Sequence, residues 1–214
     1  MRHIRKGQEP QSLTDWKAIA SDTPNCHYRD LRKPEKPELH QALLQEQGFI
    51  CCYCERRIDL LSSHIEHLKP QCDCTDAETV DFTNLLACCQ GEGEISLKPE
   101  HCGQKRGNQA LKITPLNPAC VNAFAFTEDG QILANSTQVT HEAAMSVIEV
   151  LGLNIRKLQR MRESAIQQSL ADFDSFTDAE KQKLIQFYES VNASGRHEEF
   201  CSAIAHVLKQ NTMV

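Results

Sequence analysis

The sequence predicts an α+β, mainly helical fold on three observations. Eight of its 11 cysteines fall between Cys51 and Cys102, among apolar residues (Ile58, Leu60, Leu61, Ile65, Leu68) spaced as short strands or a hairpin. Phe124 and Phe126 alternate with alanine, Glu128-Asp129-Gly130 makes a turn, and Ile132 and Leu133 follow, which reads as a second hairpin. From Thr140 onward the apolar period changes to that of helices. The chain has 214 residues, 40% apolar and 24% charged, which excludes wholesale disorder. A chain this long needs no disulfide staples to fold. It contains no run of about 18 apolar residues, which excludes a membrane-spanning helix.

In chain order, residues 1–37 form a basic N-terminal arm. Eight Lys and Arg residues stand there against five acids, a net of +3. A short helix is expected after Ser12 or Thr14, carrying Trp16 and Ile19, and the X-Pro steps at Pro24, Pro34 and Pro37 read as extended linker. Residues 38–122 form the expected core unit. It opens with a helix over 38–47, set between Pro37 and Gly48. Residues 123–214 hold the second hairpin and a small helical bundle. Ala144, Val147, Ile148 and Leu151 share one helix face, and Leu153-Asn154 breaks the pattern. Ile155, Leu158, Met161, Ala165 and Ile166 line the next helix. Thr177-Asp178-Ala179-Glu180 is a capping box opening a third, with Leu184, Phe187 and Tyr188, and a fourth carries Phe200, Ile204 and Leu208.

Formal charge is −6, from 23 basic and 29 acidic residues. A protein that binds nucleic acid alone is usually basic, so such a role here needs a local basic patch or a partner that supplies the positive field. Met1 to Glu9 start basic but lack an apolar h-region, the pattern expected of an unexported, cytoplasmic chain. Clustered cysteines in that setting read first as metal ligands. Cys51 and Cys54 form a C-x-x-C pair, half of a tetrahedral zinc site. The second half must come from Cys88, Cys89 and Cys102. One ligand of the 88/89 pair with Cys102 would close a four-cysteine site, whose zinc contributes on the order of 10 kcal/mol to folding. His101, beside Cys102, is the one histidine placed to replace a cysteine there. Cys72 and Cys74, with one residue between them, read as loop thiols, and Cys26, Cys120 and Cys201 as isolated core or surface thiols.

Inside the cysteine block lies His64-Ile65-Glu66-His67-Leu68-Lys69-Pro70. Glu66 and His67 are adjacent, so on a strand they face opposite ways, which suits two different jobs. A carboxylate can hold a hard divalent cation, and an imidazole can take a proton from water. Asn84 follows 17 residues after His67, and Lys105-Arg106-Gly107-Asn108 follows the last cysteine of the block.

This order (Cys-x-x-Cys, acid-His, Asn-Leu, Cys, then Cys-x-x-Lys-x-x-Asn, over roughly residues 49–110) resembles the HNH nuclease family with its ββα-metal fold. The resemblance implies His67 as the general base, Asn84 as the residue that orients it, and Glu66 and Asn108 as holders of a catalytic Mg²⁺ or Mn²⁺. It implies Cys51, Cys54, Cys89 and Cys102 as ligands of a structural zinc. Met1 to Lys6, Tyr53 to Ile58, Ile65 to Pro70 and Val150 to Asn154 are similar to the PtuB-type HNH proteins of Septu and retron antiphage systems. That similarity implies an ABC-type ATPase partner of the PtuA kind. It also implies, in some systems, a retron reverse transcriptase with its RNA-linked DNA, and a docking role for the helical C-terminal region.

The chemistry expected is phosphodiester hydrolysis. The divalent ion would stabilise the pentacovalent transition state while His67 deprotonates water. Oxygen donors suit Mg²⁺ and thiolates suit zinc, so the two metals would not compete. Arg56, Arg57, Lys69, Lys105 and Arg106 flank the site and are candidate phosphate contacts. Phage DNA is the substrate the resemblance implies, and an RNA or tRNA target is compatible with every residue named. The alternative is a zinc-stapled binding module without catalysis, which would need the cysteines but not Glu66, His67, Asn84 and Asn108. A zinc deaminase, suggested by His64-Ile65-Glu66, needs a C-x-x-C after that motif, whereas here it comes before.

Overall fold

The computed structural model describes residues 1–20, 26–92, 100–135 and 140–212, so the Pro24 step lies outside the described residues. Among them are seven α-helices and two small antiparallel sheets, a mixed α/β fold. Buried side chains from Met1 to Leu208 join in a single apolar cluster. No helix among the described residues is long and apolar enough to cross a membrane.

Helix α1 spans Gln11–Ala20. It starts earlier than expected because the Pro10 carbonyl accepts the amides of Leu13 and Thr14. Leu13 and Ala20 are its buried residues; Trp16 is half-buried and Ile19 points outward. Helix α2 (Glu35–Glu46) also begins early and encloses Pro37. Proline is tolerated in a first helical turn because the amide it lacks would have no intrahelical acceptor. Leu39, Leu43 and Leu44 bury the inner face of α2. The arm before α1 is packed rather than loose. The Lys6 ammonium lies 3.7 Å from the Phe82 ring centroid, 2.6 Å from Glu46 Oε1 and 3.0 Å from the Leu85 carbonyl. The Met1 amine lies 3.1 Å from Glu55 Oε1.

A bridge between Ile50 and Arg57 closes a tight loop that carries Cys51 to Cys54. Strand β1 (Ser63–His67) follows, but its partner is not a neighbour in sequence. It pairs antiparallel with β2 (Leu85–Cys89), with Ser63 opposite Cys89 and His67 opposite Leu85. The Asp59 side chain, which accepts the amides of Leu61 and Ser62, shapes the turn into β1. Buried Gln47 ties the cysteine loop to β2. Its amide donates to the Ile50 and Ala87 carbonyls at 3.0 and 2.8 Å and accepts the Ala87 amide at 2.7 Å. Short helix α3 (Cys102–Arg106) packs against β2.

The second hairpin is as the alternation predicts, with β3 (Phe124–Phe126) against β4 (Ile132–Ala134). Its turn residue Gly130 has φ +78° and rests on the next-but-one helix, where a Cβ would lie 2.7 Å from the Glu163 amide. Helices α4 (His141–Val150) and α5 (Arg156–Leu170) break at the expected place. Fully buried Arg162 holds the break, donating to the Gly130 and Leu153 carbonyls. Helix α6 (Asp178–Glu189) opens on the Thr177/Glu180 capping box, and α7 (Cys201–Gln210) packs against α5, α6 and β3. On α6 the buried residue is Ile185, whereas Phe187 is half exposed.

Candidate metal centre and active site

The loop at 51–54, the end of β2 and the start of α3 bring five buried thiols and one buried imidazole together. The sulfurs of Cys51 and Cys88 lie 3.8 Å apart, Cys51 and Cys102 3.9 Å, and Cys54 and Cys89 3.8 Å. His101 Nδ1 lies 3.1 Å from the Cys102 sulfur and 3.7 Å from that of Cys89. Two thiolates on one tetrahedral zinc, at Zn–S of about 2.3 Å, stand roughly 3.8 Å apart, so the donor set fits zinc in kind and in spacing. All four expected ligands (Cys51, Cys54, Cys89, Cys102) are in the cluster, joined by Cys88 and His101. The sequence spacing alone does not choose between Cys88 and Cys89, and it ranks His101 below the cysteines as a ligand. The doubled pairs, Cys-Cys at the end of β2 and His-Cys at the start of α3, were the available signal.

Burial opposes ionisation of Cys51, yet hydrogen bonds from Cys102, Cys52, Cys54 and Cys88 hold its thiol well below the ordinary value. The Cys102 hydrogen bond takes Cys89 down to about 3, while burial pushes Cys54, Cys88 and Cys102 up. The soft thiol and imidazole donors of this Cys/His cluster lie close enough together to hold a structural metal such as zinc. Cys72 is exposed and Cys74 half-buried, and both stand apart from the cluster.

Glu66 and His67 face opposite sides of β1, as their adjacency requires. Glu66 is 6% exposed and fully engaged: Tyr53 Oη donates to Oε1 at 3.0 Å and the Arg106 guanidinium lies 3.1 Å from it. His64 Nε2 lies 3.4 Å from Oε2. The carboxylate packs directly on α3 at Gly103, where a Cβ would be 2.6 Å from Glu66 Cδ.

His67 is 4% exposed. Its Nε2 lies 2.8 Å from the Thr79 carbonyl, and the edge of the Tyr28 ring covers it at a centroid distance of 4.6 Å. A carbonyl accepts only, so Nε2 carries the proton and Nδ1 keeps the lone pair. Desolvation lowers the His67 pKa, against the Thr79 hydrogen bond and the Glu66 charge that raise it. The ring is therefore neutral at pH 7.

Asn84, at the entrance to β2, clamps the chain that leaves β1. Its Oδ1 accepts the Lys69 amide at 2.7 Å, its Nδ2 donates to the Lys69 carbonyl at 3.3 Å, and its own carbonyl accepts the Leu68 amide at 2.9 Å. Arg106 grips the same segment from α3, donating to the His67 and Leu68 carbonyls at 2.6 and 2.9 Å. Arg106 is only 3% exposed, so it faces the protein interior rather than a ligand in solvent. Asn108 is exposed and makes no side-chain hydrogen bond among the described residues. Glu66 Oε1 serves Tyr53 and Arg106, while its Oε2 side groups with His64 and Cys88, three side chains whose ligand atoms lie within 4.8 Å of one another.

Of the other cations, Lys105 is exposed and donates to the Glu149 carbonyl, and Lys69 pairs with Glu78 at the surface. Arg56 lies 3.8 Å from Glu92, and Arg57 donates to the His197 carbonyl. A cleft unforeseen from the sequence, about 690 Å³, opens between the N-terminal arm, β3 and α7 and carries both signs of charge, from Arg2, Arg5 and Lys209 and from Glu46 and Glu189.

No family model matches the chain. It is 30% identical to the Retron Vc95 putative HNH endonuclease of Vibrio cholerae serotype O1 biovar El Tor, the match covering 73% of each chain. It is 31% identical to the Retron Ec83 putative HNH endonuclease of Escherichia coli, over 78% of this chain and 79% of the relative. Identity of this level over this share of both proteins, on a chain that places an acid-His pair beside a cysteine cluster, means that the chain belongs to the HNH endonuclease family.

Proposed function

We propose that the chain hydrolyses phosphodiester bonds in nucleic acid, with β1, β2 and α3 as a ββα-metal core. The observation that carries the reading is the His67 ring. Its protonated Nε2 is fixed on the Thr79 carbonyl, its Nδ1 holds the lone pair, and burial keeps it neutral. That is a general base in its working tautomer. Water would pass a proton to Nδ1 and attack phosphorus in line, and the 3′-oxygen would leave. General-base help of this kind is worth roughly 10²–10⁴-fold. Asn84 and Arg106 act as positioning residues, because both hold the peptide that follows the base. The zinc is structural. Dependence on Mg²⁺ or Mn²⁺ belongs to the reading, with Glu66 and Asn108 as the residues that would hold the ion, which would stabilise charge on the phosphate.

Tyr28 covers His67, so substrate can reach the base only after that segment moves. A closed site suits a nuclease switched on by another subunit. The retron names of the two relatives support a place in antiphage defence. An ABC-type ATPase of the PtuA kind, and in some systems a reverse transcriptase with its RNA-linked DNA, are the partners proposed. With a formal charge of −6, such partners would also help hold the nucleic acid.

The test is cleavage of DNA and RNA substrates by the full chain with that ATPase and Mg²⁺, run beside His67→Ala. Wild type should cut and the variant should not, at equal zinc content. If no substrate is cut, or His67→Ala cuts equally well, a zinc-stapled binding module replaces the nuclease.

A further inference from the structure

The thiol cluster holds more ligands than one zinc can use. Its six donors fall into two overlapping quartets, Cys51/Cys88/Cys89/Cys102 and Cys54/Cys89/His101/Cys102, each with all four ligand atoms within 4.8 Å of one another. The two sulfurs of the C-x-x-C pair sit in different quartets, and Cys89 and Cys102 belong to both. We infer that the cluster binds two zinc ions, bridged by the thiolates of Cys89 and Cys102, with Cys51 and Cys88 completing one tetrahedron and Cys54 and His101 the other.

Three features of the chain support this beyond ligand count. First, His101 is oriented as a ligand. Its Nε2 lies 3.2 Å from the Glu92 carbonyl, so Nε2 carries the proton and the Nδ1 lone pair faces the sulfurs of Cys89 and Cys102. A carbonyl behind the ring is the usual partner of a metal-bound histidine. Second, both terminal sulfurs of the first quartet accept backbone amides. Gly103 donates to Cys88 at 3.3 Å and Cys89 donates to Cys51 at 3.4 Å. Amide donation to sulfur stabilises thiolate rather than thiol. Third, the charge balances better. One zinc on four thiolates leaves a net charge of about −2 and strands a fifth thiol and an imidazole beside it. Two zincs on five thiolates and a neutral imidazole leave about −1, with all six donors used. Each zinc binds by displacing thiol protons to solvent, so no redox step is involved.

The inference does not depend on the nuclease reading. The measurement is the zinc content of the full-length protein, purified from zinc-supplemented cells, by elemental mass spectrometry. Two zincs per chain are expected, falling to one in Cys88→Ser and in His101→Ala. Cadmium-113 exchanged into the wild type should give two resonances, one from an all-sulfur site and one from a site with a nitrogen ligand, coupled through the bridging sulfurs. This arm needs no variant and stands even if a variant fails to fold. One zinc per chain, a single cadmium resonance, or two zincs that both persist in the two variants would overturn the inference, leaving the His67 cleavage test unaffected.

Discussion

Replacing Asn84 by alanine removes the clamp on the peptide after the base while leaving every proposed reacting group in place. A weak hydrogen bond to the Cys74 sulfur at 3.6 Å is lost, and with it two stronger ones, to the amide and the carbonyl of Lys69 at 2.7 and 3.3 Å. Both lie near the surface, so each is worth about 0.5–1.5 kcal/mol and water can replace them. A net loss of about 2 kcal/mol lowers the melting temperature of a chain this size by roughly 4–8 °C. The effect on rate should be larger than the effect on stability. The Leu68–Lys69 peptide is continuous with His67, and a displacement of about 1 Å at a reacting group can cost on the order of 10²-fold. Single-turnover cleavage, measured well below the melting temperature of the variant, separates the two effects. Asn84→Ala should cut about 10²-fold more slowly with unchanged substrate affinity and an unchanged pH profile. Asn84→Asp, which can still accept the Lys69 amide but cannot donate to its carbonyl, should fall between. A variant that cuts at the wild-type rate would refute the positioning role, and one that loses only substrate affinity would move Asn84 to the binding surface.

Gly103→Ala would set a Cβ 2.6 Å from Glu66 Cδ and push the carboxylate off Tyr53 and Arg106. The overpacking should cost roughly 1–3 kcal/mol, and a melting curve matching wild type would contradict the packing of α3 on β1. A structural zinc on the cluster would contribute on the order of 10 kcal/mol, so a strong chelator should unfold the region around Cys51 and Cys102. A metal-free chain with native circular dichroism and melting temperature would count against a structural metal. Burial holds His40, His67, His197 and His206 below the ordinary value of 6.5. The unfolded chain therefore protonates first, so stability is complete above about pH 6.5 and is lost as pH falls through the folded values. Melting temperatures that rise between pH 7 and 5 would contradict that sign.

Features set by local chemistry were legible from the residues alone. The Thr177/Glu180 capping box, the Gly130 turn, the break at Leu153-Asn154 and the strand around Ile65 each follow from neighbours a few positions away. What lies in tertiary contact was not. The pairing of β1 with β2 joins segments about 20 residues apart, and nothing in either strand names the other. Pro37 looks like a helix boundary until the helix is seen to start two residues before it. Arg106 reads as a surface cation beside Lys105, but on the short α3 it turns inward to Glu66 and the His67 carbonyl. Phe187 has the spacing of a core residue, yet Ile185 takes that place because the position of α7 selects the buried face. At the site, spacing singles out the Cys51/Cys54 pair and leaves Cys88, Cys89 and Cys102 as candidates, with Cys89 preferred only through the family resemblance. Cys88 and His101 joined them only once strand and helix ends met in space.

Catalysis at this site turns on His67 taking the proton from the attacking water. The most direct measurement is single-turnover cleavage by His67→Gly, with the ATPase partner, as imidazole is added. Cleavage should fall by about 10²–10⁴-fold and recover in proportion to the concentration of neutral imidazole, which fills the space the ring vacates. Cleavage by His67→Gly at the wild-type rate, with or without imidazole, would contradict that role for His67.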